Sequence, residues 1–158
     1  MINNNYFDIA ENDYMYYKDV WNKDNLPNSI CAVGQSICER YLKHLINEYY
    51  NPADDAERKR QADALHSHSL SKICSFIRQN TDIPMDVNEK DKILKADGYY
   101  FTTRYPGDEF MVIEKDDIRR VAEAVEYTRT YVMETEKELL KYKTEDLGGN
   151  SGDGEIEL

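Results

Sequence analysis

The chain has 158 residues, 41% of them hydrophobic and 32% charged, with a formal net charge of −11. That length gives one domain able to bury a core without disulfides or metals. So acidic a surface repels a phosphate backbone, which argues against general nucleic-acid binding but leaves room for a small nucleotide in a pocket.

No apolar run approaches the roughly 20 residues of a membrane span. The amino end, MINNNYFDIAEND, lacks a basic start and an apolar core, so no signal peptide and a cytoplasmic location are expected. Of the three cysteines, Cys31 and Cys38 fall on one predicted helix. Two turns hold them about 10 Å apart, beyond disulfide reach. Reduced thiols acting as small hydrophobes are expected.

Residues Asn5 to Lys23 place Phe7, Ala10, Tyr14, Tyr17 and Trp21 at spacings of three and four, the aromatic seam of a first helix. NKDNLP then turns the chain, and so short a link implies an antiparallel pair. Pro27 to Tyr50 carries the longest apolar stripe: Ile30, Val33, Ile37, Tyr41 or Leu42, Leu45 and Tyr49. Gln35, Glu39, Arg40, Lys43, Asn47 and Glu48 fall on its polar side, and Glu39 to Lys43 has the favourable order for a helical ion pair, about 0.3 kcal/mol. His44, beside Lys43, is expected in solvent. Asn51-Pro52 ends this central helix, because a residue before proline leaves helical geometry.

The charged, alanine-rich stretch after Pro52 suits either a helical extension or a loop. Leu70, Ile73, Cys74 and Ile77 mark a short third helix with Ser67 or Ser69 as its cap. Val87 to Tyr105 reads as a fourth helix, stopped by Pro106-Gly107-Asp108. Glu109 to Ile113 is apolar and short, an extended connector. Asp116-Asp117 opens a last helix running to about Lys143, and from Thr144 the glycine-rich acidic tail 144–158 is expected to be disordered. The pattern predicts an all-α protein: a five-helix antiparallel up-and-down bundle over 1–143.

Three pieces stand together in order: AVGQSICERYLKHL in the central helix, His68-Ser69-Leu70-Ser71-Lys72-Ile73 opening the third, and Tyr99-Tyr100-Phe101-Thr102-Thr103-Arg104-Tyr105-Pro106 ending the fourth. Over roughly residues 5 to 140 the chain resembles the HEPN domain family (higher eukaryotes and prokaryotes nucleotide-binding). The resemblance implies a helical bundle, usually a homodimer, often encoded beside or fused to a minimal nucleotidyltransferase in a toxin–antitoxin setting. Some HEPN proteins are metal-independent ribonucleases using an Arg-x(4–6)-His motif near the end of the fourth helix. Here Arg104 has no histidine downstream, so the resemblance points to a non-nuclease member. Arg60 to His66 matches the spacing but lies in the charged connector, before the third helix.

The candidate residues follow. Arg104 is either a helix-end guanidinium or an anion-binding fork. Tyr99, Tyr100 and Tyr105 are either packing or the wall of a pocket for a planar ligand. His68 is expected to hold the start of the third helix. No second ligand pair joins His66, His68 and Cys74 at a zinc-like spacing, so neither metal nor cofactor is expected. The reading that results is a non-catalytic HEPN-like domain, with no catalytic residue, that binds a nucleotide or small anionic ligand or serves a nucleotidyltransferase partner. A ribonuclease with a displaced histidine, His66 or His68, is the enzymatic alternative, and a purely structural interaction bundle is the third.

Overall fold

The structure is a computed structural model and describes residues 2–148. Its elements are α1 (Tyr6–Val20), α2 (Ile30–Tyr49), α3 (Asp55–His66), α4 (Leu70–Asn80), α5 (Val87–Leu94) and α6 (Lys115–Gly148), with no strand among the described residues. The expected all-helical architecture is present, with one more helix than the sequence suggests. The addition is α3, in the stretch left open between helix and loop. Asp54 starts it by accepting the Glu57 N–H at 2.8 Å, and acidic residues occupy its first turn. Only Ala64 of α3 is buried, which is why its sequence shows no apolar stripe.

The central position of α2 follows from its stripe. Ile37, Tyr41, Leu42, Leu45 and Ile46 are fully buried, each aliphatic side chain contributing about 1.5–3 kcal/mol. The helix starts at Ile30, after a turn in which Ile30 N–H donates to the Pro27 carbonyl, and ends at Tyr49, with Tyr50 extended ahead of Asn51-Pro52. α1 lies against α2 in the opposite sense. Its Phe7 meets Tyr41 and His44 late in α2, while Tyr17 lies beside Gly34 near the start. The expected seam of Ala10, Tyr14 and Tyr17 is buried. α6 runs alongside α2 in the same direction, with Val121 against Gly34 and Glu136 bonded to both His44 and Tyr49.

Three expectations need correction. Gln35, Glu39 and Lys43 do not face solvent. They are 1%, 2% and 6% exposed, turned toward the His68 and Tyr99–Tyr100 turns, so the Glu39–Lys43 pair is an interior one. His44 is not solvated either; its ring packs on Phe7 and Tyr49 and bonds to Glu136. The fourth predicted helix, Val87 to Tyr105, stops at Leu94. Ala96 and Asp97 donate to carbonyls only three residues back, Gly98 takes φ +90°, and the N–H groups of Tyr99 and Tyr100 are bonded by Gln35 instead of by a continuing helix.

The chain from Gly98 to Glu114 is then irregular, and Asn28 ties it down. Its amide donates to the Thr103 and Met111 carbonyls at 3.2 and 2.8 Å, and its oxygen accepts the Ile113 N–H at 2.9 Å. Of the expected connector Glu109 to Ile113, residues 110–113 belong to neither helix nor strand, and the Met111 N–H donates to the Thr102 carbonyl at 2.6 Å. α6 continues past the expected end at Lys143 to Gly148; the rest of the acidic tail, 149–158, lies outside the described residues. No helix among the described residues is long and apolar enough to cross a membrane.

Candidate functional site

The site is assembled by one buried amide. The Gln35 oxygen accepts the N–H groups of Tyr99 and Tyr100 at 2.7 and 2.9 Å. Its nitrogen donates to the His68 carbonyl at 2.8 Å and to Glu39 Oε1 at 3.1 Å. All four positions an amide offers are used, which offsets the cost of burying it. The turn before α4 and the turn after α5 are thereby pinned to the same point on α2.

One helical turn on, Glu39 places a buried carboxylate behind His68. Its Oε2 lies 3.3 Å from His68 Nδ1 and 3.9 Å from Lys43 Nζ. Loss of water around the Lys43 ammonium lowers its pKa, and attraction to Glu39 works the other way. A carboxylate facing Nδ1 favours a proton there and leaves Nε2 as the free nitrogen of a ring that is 41% exposed.

On the outer side the His68 ring stacks on Tyr100, centroids 3.9 Å apart and planes within 5°. Phe101 stands edge-on to both rings, at 4.7 Å from Tyr100 and 6.4 Å from His68. Arg104 brings its guanidinium carbon over the Tyr100 ring, 5.0 Å from its centroid. Tyr105, 52% exposed, lies at the margin, 6.1 Å from Phe101. Of the five predicted site residues, the structure brings His68, Tyr100, Arg104 and Tyr105 together.

Tyr99 is the exception. It points inward, donates its hydroxyl to Asp117 at 2.8 Å and receives Arg120 at 3.2 Å. Burial first, and then the bond to Asp117, push its pKa to about 12. It is a tie between the turn and α6, not a wall of the site. His66 is absent from the cluster as well: it caps its own helix, Nδ1 lying 2.7 Å from the Ala62 carbonyl. Among the described residues no three His, Cys, Asp or Glu side chains gather as metal ligands.

Neither protein-family models nor curated proteins nor solved structures give a match to this chain. The chemistry of the site therefore rests on its own geometry. That geometry offers the exposed ring of Phe101, an exposed guanidinium lying over Tyr100 and an imidazole backed by a carboxylate.

Sequence reasoning missed Gln35, Glu39 and Phe101. A signal was available for the first two. Gln35, Glu39 and Lys43 recur every four residues immediately beside the apolar stripe, the spacing of a second, polar face.

Proposed function

We propose that the chain is a HEPN-like helical bundle of the non-catalytic kind that binds a nucleotide, or another small planar anion, at the Tyr100 cluster. The observation that carries this reading is the Tyr100 ring itself. It is stacked on His68, edged by Phe101 and overlaid by the Arg104 guanidinium, at the surface of a strongly acidic protein. Both faces of Tyr100 are covered, by His68 and by Arg104, so the ring left open to a base is Phe101, 62% exposed, beside the guanidinium that would take the phosphate charge. Arg104 is exposed and lines a cavity, which favours a ligand over a purely structural role. The opposed α1 and α2 support an up-and-down arrangement of the first two helices, while α6 runs parallel to α2. A homodimer and a nucleotidyltransferase partner in a toxin–antitoxin setting follow from the resemblance.

Calorimetric titration with the four ribonucleoside 5′-monophosphates tests this reading. Binding that weakens at least about tenfold in Tyr100→Ala and in Arg104→Ala is expected. No binding of any nucleotide, together with no capture of a minimal nucleotidyltransferase, would reject it.

One observation favours a second reading, a metal-independent ribonuclease with a displaced histidine. Glu39 holds Nδ1 of His68, leaving Nε2 able to take the proton of a ribose 2′-hydroxyl as its oxygen bonds to the adjacent phosphorus, while the P–O5′ bond breaks and the departing 5′-oxygen takes a proton from water. Arg104, carried by the same tyrosine ring, would stabilise charge on the phosphate oxygens. RNA incubated with the wild type and with His68→Ala and Arg104→Ala separates the two. Cleavage lost in both variants replaces the first reading with the second.

A further inference from the structure

Beside the aromatic cluster lies a cavity of about 240 Å³ lined by Asp13, Ser29, Ala32, Val33, Ser36, Arg40 and Arg104. Two features single it out. It receives two arginines from distant parts of the chain, Arg40 from α2 and Arg104 from the turn after α5. Its α2 wall is made of small residues over the first two turns, and Ser29 makes no side-chain capping bond, so that hydroxyl is not spent on the helix. Arg40 is already held in place: its Nη1 pairs with Asp13 of α1, leaving the other N–H groups of the fork for a ligand.

The volume sets the size of what fits. At about 240 Å³ the space is smaller than the 300–1,000 Å³ typical of pockets that enclose a whole organic ligand. Two guanidinium groups against the single Asp13 carboxylate leave a net positive charge, and with the hydroxyls of Ser29 and Ser36 in so small a space they suit a phosphate group. Arg104 belongs both to this cavity and to the Tyr100 platform. A molecule with a phosphate at one end and a flat ring at the other would use both.

We infer that the cavity between α1, α2 and Arg104 takes the phosphate of a nucleoside monophosphate whose base lies on the exposed Phe101 ring, which Tyr100 supports edge-on, and that Arg40 is a phosphate-binding residue. This rests on the nucleotide reading above and adds to it a second cation, a binding direction and a ligand end. Asp13 then positions Arg40 and balances its charge while the cavity is empty.

The test compares each ribonucleoside 5′-monophosphate with its nucleoside by calorimetry, on the full chain. The proteins are the wild type, Arg40→Gln, Arg40→Lys and Tyr100→Ala. Arg40→Gln is expected to lose at least about tenfold in monophosphate affinity while nucleoside affinity is unchanged, and Arg40→Lys to recover part of the loss. The unchanged nucleoside binding reports that the variant is folded. If Arg40→Gln binds the monophosphate as the wild type does while Tyr100→Ala does not, the phosphate assignment falls and the nucleotide reading stands. If Arg40→Gln weakens nucleoside and monophosphate equally, the residue is structural and the assignment falls too. Wild-type protein that binds neither ligand overturns both.

Discussion

Gln35, in the second turn of α2, holds the backbone N–H of Tyr100 at 2.9 Å although the two residues are 65 positions apart in the chain. That contact decides where the one ring carrying both His68 and Arg104 will sit. It also keeps the helix from resuming after Leu94, because an N–H given to Gln35 is not available to the Ala96 carbonyl four residues back.

Replacing Gln35 by leucine keeps the volume and removes every one of these bonds. The N–H groups of Tyr99 and Tyr100 and the carbonyl of His68 would lose their partner in a region where Gln35 is 1% exposed. Each unsatisfied group costs about 1–3 kcal/mol, so a total loss of at least about 3 kcal/mol is expected. Urea denaturation measures it. A loss under about 1 kcal/mol would mean that the turn is held by something other than this amide.

Gly34 sits where α1, α2 and α6 come closest. A β-carbon there would meet Val121 Cγ1 at 2.4 Å and the Tyr17 hydroxyl at 3.0 Å. Valine is stiff about χ1 and Val121 is fully buried, so it cannot swing aside. Gly34→Ala gains up to about 1 kcal/mol of helix propensity, but overpacking of this kind costs about 1–3 kcal/mol. A net destabilisation is expected in denaturant melts. A more stable Gly34→Ala protein would show that α2 and α6 are spaced more widely than this packing requires.

The helices were legible wherever burial followed a simple stripe. Ala10, Tyr14 and Tyr17 in α1, and Ile37, Tyr41 and Leu45 in α2, repeat at three and four and lie inside. Burial by polar pairing leaves a four-residue spacing too, but one that does not differ from that of a solvated face. Gln35, Glu39 and Lys43 read as a solvated face, because the partners of Gln35 and Glu39 lie 29 to 65 residues away in the turns at His68, Tyr99 and Tyr100, while Lys43 pairs with the buried Glu39. The length of the fourth predicted helix failed for the same reason. Tyr100, Phe101 and Tyr105 continue an acceptable helical face, but the three-residue bonds of Ala96 and Asp97, the positive φ of Gly98 and the tertiary bonds from Gln35 end the helix before them. Within the candidate site, Arg104 and His68 could be named as residues, but their meeting on one tyrosine ring could not be foreseen from spacing.

Two carboxylates link acid pH to the packing of α6. Burial opposes ionisation of Glu11, but hydrogen bonds from Arg129 and Tyr41 outweigh it and bring its pKa below the ordinary 4.5. Asp117 is held below its ordinary 3.8, chiefly by the Glu114 N–H, against some opposition from burial and with help from Tyr99 and Arg120. A carboxyl whose folded value lies below its unfolded one binds fewer protons when folded. Its stabilisation is therefore complete above the unfolded value and is lost as pH falls through the folded one. Stability measured by urea melts is expected to fall steadily once pH drops below about 4.5, and less steeply in Glu11→Gln and Asp117→Asn, which start from a lower plateau. Equal acid slopes in all three proteins would place the acid-sensitive groups elsewhere.

The thiols give a direct reading of core integrity. Cys31, Cys38 and Cys74 are each 0% exposed, on α2 and α4, and none is bonded to another. Burial in apolar surroundings pushes each thiol up to about 12. Reaction needs a thiolate and access to it, and the native fold withholds both. The native protein at pH 8 is therefore expected to resist a disulfide reagent such as Ellman's for as long as the core stays closed, and to release all three thiols together in denaturant. Gly34→Ala, by loosening the contact among α1, α2 and α6, should speed the native-state labelling of Cys31 and Cys38 ahead of Cys74, which lies on α4. Rapid labelling of any one cysteine in the wild-type protein would show that its helix opens independently of the rest, and would break the link between the buried α2 stripe and the stability of the whole bundle.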